Sequence, residues 1–209
     1  MSQVQCFPSG PFETNAYLFT CLETSKGIFI DPAPGSAEFL TQAAGGIEVE
    51  AILLTHSHWD HIGDLKKLKG SFGVPVYVHK KDRANVVKPG SDGLPLLEQI
   101  EGVEPEFDLK EGQIISVGHL DLKVIETPGH TPGGVCFYIE KEKILFAGDT
   151  LFKGSIGNLS LPTAERTDMW RSLEKLEKLP PDTVVYSGHG PSTTIGDENW
   201  LPRAREIFN

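Results

Sequence analysis

Four side chains within six residues carry the strongest chemical signal in the chain: His56, His58, Asp60 and His61. Imidazole nitrogens and carboxylate oxygens are ligands for zinc, iron and manganese. Three of the seven histidines fall in this one run, directly after an apolar stretch at 51–54 and before a helical pattern, so scattered surface histidines explain it poorly. At a strand exit, residues two apart project the same way, which lets His56 and His58 grip one cation side by side. Past the turn, Asp60 and His61 face a second point. The spacing differs from the His-Glu-x-x-His helix motif, which disfavours a metalloprotease of that type.

Two histidines seldom complete a metal site, and three later segments offer partners. His130 lies in a loop crowded with proline and glycine, Asp149 in Ala-Gly-Asp-Thr, and His189 between Gly188 and Gly190. Taken singly, either histidine reads as a capping or packed residue and Asp149 as a turn residue. Together they raise the potential ligand count to seven, and each follows an expected strand, the edge where α/β folds commonly place their sites.

Positioning these residues requires strands. Short apolar runs rich in β-branched residues predict strands at 16–21, 27–30, 51–54, 74–78, 114–117, 120–126, 135–139, 144–147 and 184–186. Helices are expected at 36–44, 62–68, 168–179, with Asp168 as N-cap, and 198–208. That alternation indicates a layered α/β arrangement. Residues 80–111 carry a weak pattern and read as a long surface excursion, a lid or an insertion.

Composition narrows the function classes. The 209 residues hold 29 acidic against 19 basic side chains, a net charge of −10, with no basic run. Nucleic acid and anionic membrane are therefore excluded as main partners, since both bind clustered cations. The 22 glycines and 15 prolines imply function carried by loops. Three cysteines, Cys6, Cys21 and Cys136, give no disulfide framework, and the start lacks a secretory pattern, so a cytoplasmic, single-domain protein spanning 1–209 is expected.

The set His56, His58, Asp60, His61, His130, Asp149 and His189, in that order, resembles the metallo-β-lactamase superfamily. The resemblance implies an αββα sandwich of two mixed β-sheets flanked by helices, with a dinuclear site at one edge. It implies that His56, His58 and His130 hold the first metal, that Asp60, His61 and His189 hold the second, and that Asp149 bridges. Asp60 and Asp149 are thus the catalytic carboxylates, Asp60 by coordination in preference to acting as a free general base. Lactamases of the superfamily commonly place a cysteine at the second metal; Cys136 reads as core, which disfavours lactam hydrolysis.

Trp59, the stretch 148–152 and Gly188, His189, Gly190 and Pro191 resemble the short members of the glyoxalase II group, the hydroxyacylglutathione hydrolases. The implied reaction is hydrolysis of a small-molecule acyl thioester by a metal-bridging hydroxide, with two divalent ions, zinc foremost and iron or manganese as alternatives. The chain departs from that group where residues 154–158 lack a cation and where only about 18 residues follow Pro191, which puts the glutathione carrier in question. An iron-dependent persulfide dioxygenase, a lactonase and a non-catalytic metal-binding module stand as alternatives. Among other residues, Phe12, Trp59 and Phe152 are candidates for the mouth of the site, and Lys153 and Arg166 for anchoring a substrate carboxylate. Thr131 and Asp64 are candidates for contacts to the ligands, while His79 and His119 read as surface or supporting residues.

Overall fold

The computed structural model describes residues 1–208. Its first sheet has the strands in chain order: β1 (Ser2–Ser9), β2 (Thr14–Cys21), β3 (Lys26–Ile30), β4 (Glu48–Leu53), β5 (Val76–His79) and β6 (Phe107–Leu109). The first three pair antiparallel and β3 to β6 pair parallel. The second sheet holds β7 (Ile114–Val117), β8 (Leu120–Glu126), β9 (Val135–Ile139), β10 (Ile144–Gly148), β11 (Val184–Ser187) and β12 (Thr193–Thr194), antiparallel throughout except for the parallel pair β10 and β11.

Strand alternation sorts the apolar side chains into three cores. Tyr17, Phe19, Ile28, Ile30 and Leu53 from the first sheet meet Leu122, Val124, Phe137 and Phe146 from the second. The opposite face of the first sheet, with Leu18, Phe29 and Ile52, packs on α1 (Ala37–Ala43), α2 (Trp59–Ile62) and α3 (Leu65–Phe72) through Leu40, Ile62 and Leu68. Cys136, Leu145 and Val185 on the outer face of the second sheet meet Met169, Leu173 and Leu176 of α5 (Arg166–Leu176). The order helix, sheet, sheet, helix is the αββα sandwich, and all eight residues of β2 are buried because both of its faces are covered. Two short helices complete the set, α4 (Arg83–Val87) and α6 (Ala204–Ile207). Among the described residues, no helix is long and apolar enough to cross a membrane.

All nine expected strands are present. The three that the pattern does not reveal, β1, β6 and β12, each lie at a sheet edge, where little apolar burial is required. The expected helix at 62–68 is two helices that break at Gly63, where a Cβ would stand 2.3 Å from Cγ of Pro34. Helix α5 starts before Asp168, and its N-cap is Glu165, whose carboxylate accepts from the Thr167 amide at 3.0 Å. The expected helix at 198–208 shrinks to a 3-10 turn at Leu201–Arg203 and α6. Glu198 is instead buried as a loop brace, accepting from the Gly154 amide, the Thr193 hydroxyl and the Trp200 indole.

Candidate metal centre

All seven sequence-predicted ligands meet at one edge of the sandwich. His56, His58, Asp60 and His61 follow β4, His130 follows β8, Asp149 follows β10 and His189 follows β11. Donor atoms of His56, His58 and His130 lie within 4.8 Å of one another, as do those of Asp60, His61 and His189. Asp149 touches both groups: its Oδ2 is 3.3 Å from Nε2 of His130 and 3.5 Å from that of His189, and its Oδ1 is 3.4 Å from Nε2 of His61. Six of the seven are buried, and His189 is half-buried.

The donors fit a pair of cations. Buried Nε2 atoms of His56, His58, His61 and His130, and Oδ1 of Asp149, have no hydrogen-bond partner. Five unpaired buried polar atoms aimed at one place would be costly in a site meant to stay empty. Contacts behind the rings fix which nitrogen points inward. Nδ1 of His61 donates to Asp31 at 3.0 Å, that of His130 to the Asn158 carbonyl at 3.0 Å, and that of His189 to the Phe12 carbonyl at 3.0 Å. Nδ1 of His56 rests 3.1 Å from the Thr55 hydroxyl, which donates to Asp31 at 2.6 Å. A third donor group, Asp31 with His56 and His61, follows from this support, because the Asp31 carboxylate is already engaged by Thr55 and His61.

Electrostatics separates the two triads. Burial, reinforced by neighbouring imidazoles, holds His56 well below the usual histidine range and brings His58 down to about 3. Burial also acts against charge on His61 and His189, yet the carboxylates of Asp60 and Asp149 prevail, raising His61 well above its ordinary value and His189 to about 9. In return, and against burial, the same imidazoles pull Asp60 down to about 2 and Asp149 well below the carboxylate range. Burial thus keeps His56 and His58 uncharged, and the second triad is built on carboxylate charge.

Neighbouring strands brace the loops. Thr14, at the start of β2, donates to Asp60 at 2.8 Å, and the Asn15 amide group donates to the carbonyls of Ser187 at 2.9 Å and Gly190 at 2.8 Å. Asp82 accepts from the Ser57 amide at 3.0 Å and from the Gly133 amide at 2.7 Å, tying the loop of His56 and His58 to that of His130. Side chains are excluded where backbone must pass close: a Cβ on Gly188 would stand 2.1 Å from Oδ1 of Asp149.

The superfamily pattern tests this arrangement against known chains, and that of the metallo-beta-lactamase superfamily matches residues 9–189. The chain belongs to that superfamily. It is 35% identical over 193 residues to the probable metallo-hydrolase YqgX of Bacillus subtilis, covering 90% of each chain. It is 33% identical over 207 residues to the hydroxyacylglutathione hydrolase GloC of Haemophilus influenzae, covering 93% of this chain and 94% of that one. The structure of BLEG-1 B3 metallo-beta-lactamase superposes with a TM-score of 0.88 at 35% identity, over 99% of this chain and 100% of that one. TTHA1623 in a di-iron-bound form superposes with a TM-score of 0.80 at 36% identity, over 93% and 96% of the two chains.

Members of this superfamily differ in what surrounds the donors, and here several expected supporting residues lie elsewhere. A cavity of about 390 Å³ opens over the centre, lined by Phe12, Trp59 and Leu97 among others; Phe152 packs edge-on against His189 with ring centroids 5.8 Å apart, and Lys153 and Arg166 are outside the lining. Arg166 instead donates to the Phe208 carbonyl, just after α6. Asp64 accepts from the Ala37 amide and Lys67, away from the ligands. His79 is buried against Glu126, and exposed His119 pairs with Glu23. Cys136 is fully buried in the outer core. Asp31 and Asp82 are the important residues that the sequence reading passes over. Asp31 is a lone carboxylate directly after β3, where the structure gives it a left-handed φ of 50°; Asp82 lies beyond β5 in the weakly patterned stretch.

Proposed function

We propose that the chain is a dinuclear metal-dependent hydrolase of acyl thioesters, acting as a single catalytic unit on a small-molecule substrate. The observation that carries the reading is the pair of donor triads sharing Asp149, with unpartnered Nε2 atoms aimed at the floor of an open cavity. His56, His58 and His130 would hold one ion, Asp60, His61 and His189 the other, with Asp149 between them. Imidazole and carboxylate donors suit zinc, iron or manganese. Dications bound there supply Lewis-acid polarisation of an acyl oxygen and acidify water, whose pKa falls to about 7 at zinc.

The chain's own residues do the rest. Asp31, Asn158 and Phe12 orient the imidazoles, and Thr14 occupies one oxygen of Asp60. Trp59, packed against Phe12 with ring centroids 5.3 Å apart, shields one side from water. The cavity lining contains no serine, cysteine or lysine, so water is the nucleophile that the site can present. Similarity to the hydroxyacylglutathione hydrolase GloC supports a thioester as the bond cleaved. Similarity to BLEG-1 favours a second reading, lactam hydrolysis, despite the buried Cys136.

Metal analysis coupled to a thiol-release assay tests this, with S-lactoylglutathione as first substrate. Two equivalents of metal with thiol release is the expected result. One iron with oxygen uptake on a persulfide would replace it with the dioxygenase reading, and ring opening of a lactam without thiol release would replace it with the second.

A further inference from the structure

The wall of the cavity differs in kind from its floor. Above the histidines and carboxylates stand Phe12, Trp59, Leu94, Pro95, Leu97 and Leu161, contributed by separate stretches of chain. Phe12 is 52% exposed and Leu97 62% exposed, so large apolar side chains face water around the mouth of a polar site. Contiguous apolar surface of this kind, rimming a concave site, marks ligand contact. No lysine or arginine is among the residues lining the cavity.

This wall is held in place. Asn85 donates to the Ser57 carbonyl, between His56 and His58, at 2.7 Å and to the Asp92 carboxylate at 2.9 Å. Its own carbonyl oxygen accepts from the Asp92 amide at 3.2 Å, and Asp92 in turn accepts from the Leu94 amide at 2.9 Å. A pre-formed apolar wall gains from a ligand without first having to be ordered. An anionic carrier such as glutathione would find no lysine or arginine in this lining, whereas a hydrocarbon chain would displace water from Phe12 and Leu97.

We propose that the substrate of this site is a thioester with an uncharged, apolar acyl chain of several carbons, lodged against Phe12, Trp59, Leu94 and Leu97. The proposal rests on the thioesterase reading for the bond that is cleaved, and on the cavity wall alone for the group that is bound. Its test uses the metal-loaded protein with acyl thioesters of N-acetylcysteamine from propanoyl to hexanoyl, beside S-lactoylglutathione. Specificity, as kcat/KM, rises by up to about fourfold per added methylene, the factor that burial of one such group provides. A flat series, or S-lactoylglutathione turned over better than the hexanoyl thioester, overturns the proposal.

Calorimetry with the uncleavable thioethers S-hexyl-N-acetylcysteamine and S-hexylglutathione separates the two readings. Tighter binding of the uncharged thioether without cleavage of any thioester keeps the apolar site and removes the thioesterase. Tighter binding of the glutathione derivative, or binding of neither, removes the apolar site. Leu97→Asp, at an exposed position that circular dichroism can check for folding, lowers hexanoyl turnover about tenfold and flattens the series; retention of the wild-type slope counts against the proposal.

Discussion

At the floor of the cavity, the donors sit on loops beyond strand ends or, for Asp60 and His61, on the short helix α2, and most are held from behind by a second contact, as Asp31 holds His61 and Thr14 holds Asp60. At the rim, Phe12 and Leu97 stand on loops, half or more exposed, and the stretch leading to Leu97 is tied down by remote contacts through Asn85 and Asp92. The floor is thus fixed by contacts to the donors themselves, and the rim by contacts remote from its exposed side chains. Chemistry that needs fixed donors can stay constant while the preferred substrate drifts, the division of labour expected when one scaffold serves many reactions.

That contrast is open to attack at both levels. His58→Ala should produce the largest effect, loss of bound metal and of thiol release together, by more than about 100-fold, with an unchanged circular dichroism spectrum; retained metal and turnover would remove His58 from the floor. Asp31→Ala, which leaves every donor in place, should lower metal affinity or turnover about 10-fold to 100-fold, measured by competition with a chromophoric chelator. Asp82→Asn keeps one acceptor and loses the other, which should cost about 1–3 kcal/mol in urea unfolding, with both loops loosened as seen by hydrogen exchange. Phe12→Ala should be mildest, changing stability by about 0.5 kcal/mol or less while KM for apolar thioesters rises several-fold. A rim variant as damaging as His58→Ala would dissolve the distinction.

Legibility in the sequence follows the same boundary. Metal-type donors at tight spacing next to apolar strands announce themselves, and His56, His58, Asp60, His61, His130, Asp149 and His189 all reach the edge where such strands end. Strands β1, β6 and β12 were hidden because an edge strand needs few apolar residues. Asp31 was visible only as a single carboxylate, with no spacing to single it out. Asp82, Asn85 and Asp92 act through backbone groups of remote loops, a relationship that no local pattern encodes. Lys153 and Arg166 show the converse: charge near a motif in sequence is no guide to where a long side chain points once the chain has folded.

The clamp between the start of β2 and the last donor loop has a consequence for biosynthesis. Asn15 and the Ser187 carbonyl are separated by 172 positions, yet they close the same ring of contacts. A growing polypeptide therefore has its early histidines long before it has their counterparts, and contacts so remote along the chain are slow to form. Completion of the second donor triad becomes a finishing step, reached only once His189 has been made, and a translation product truncated before that residue would lack it.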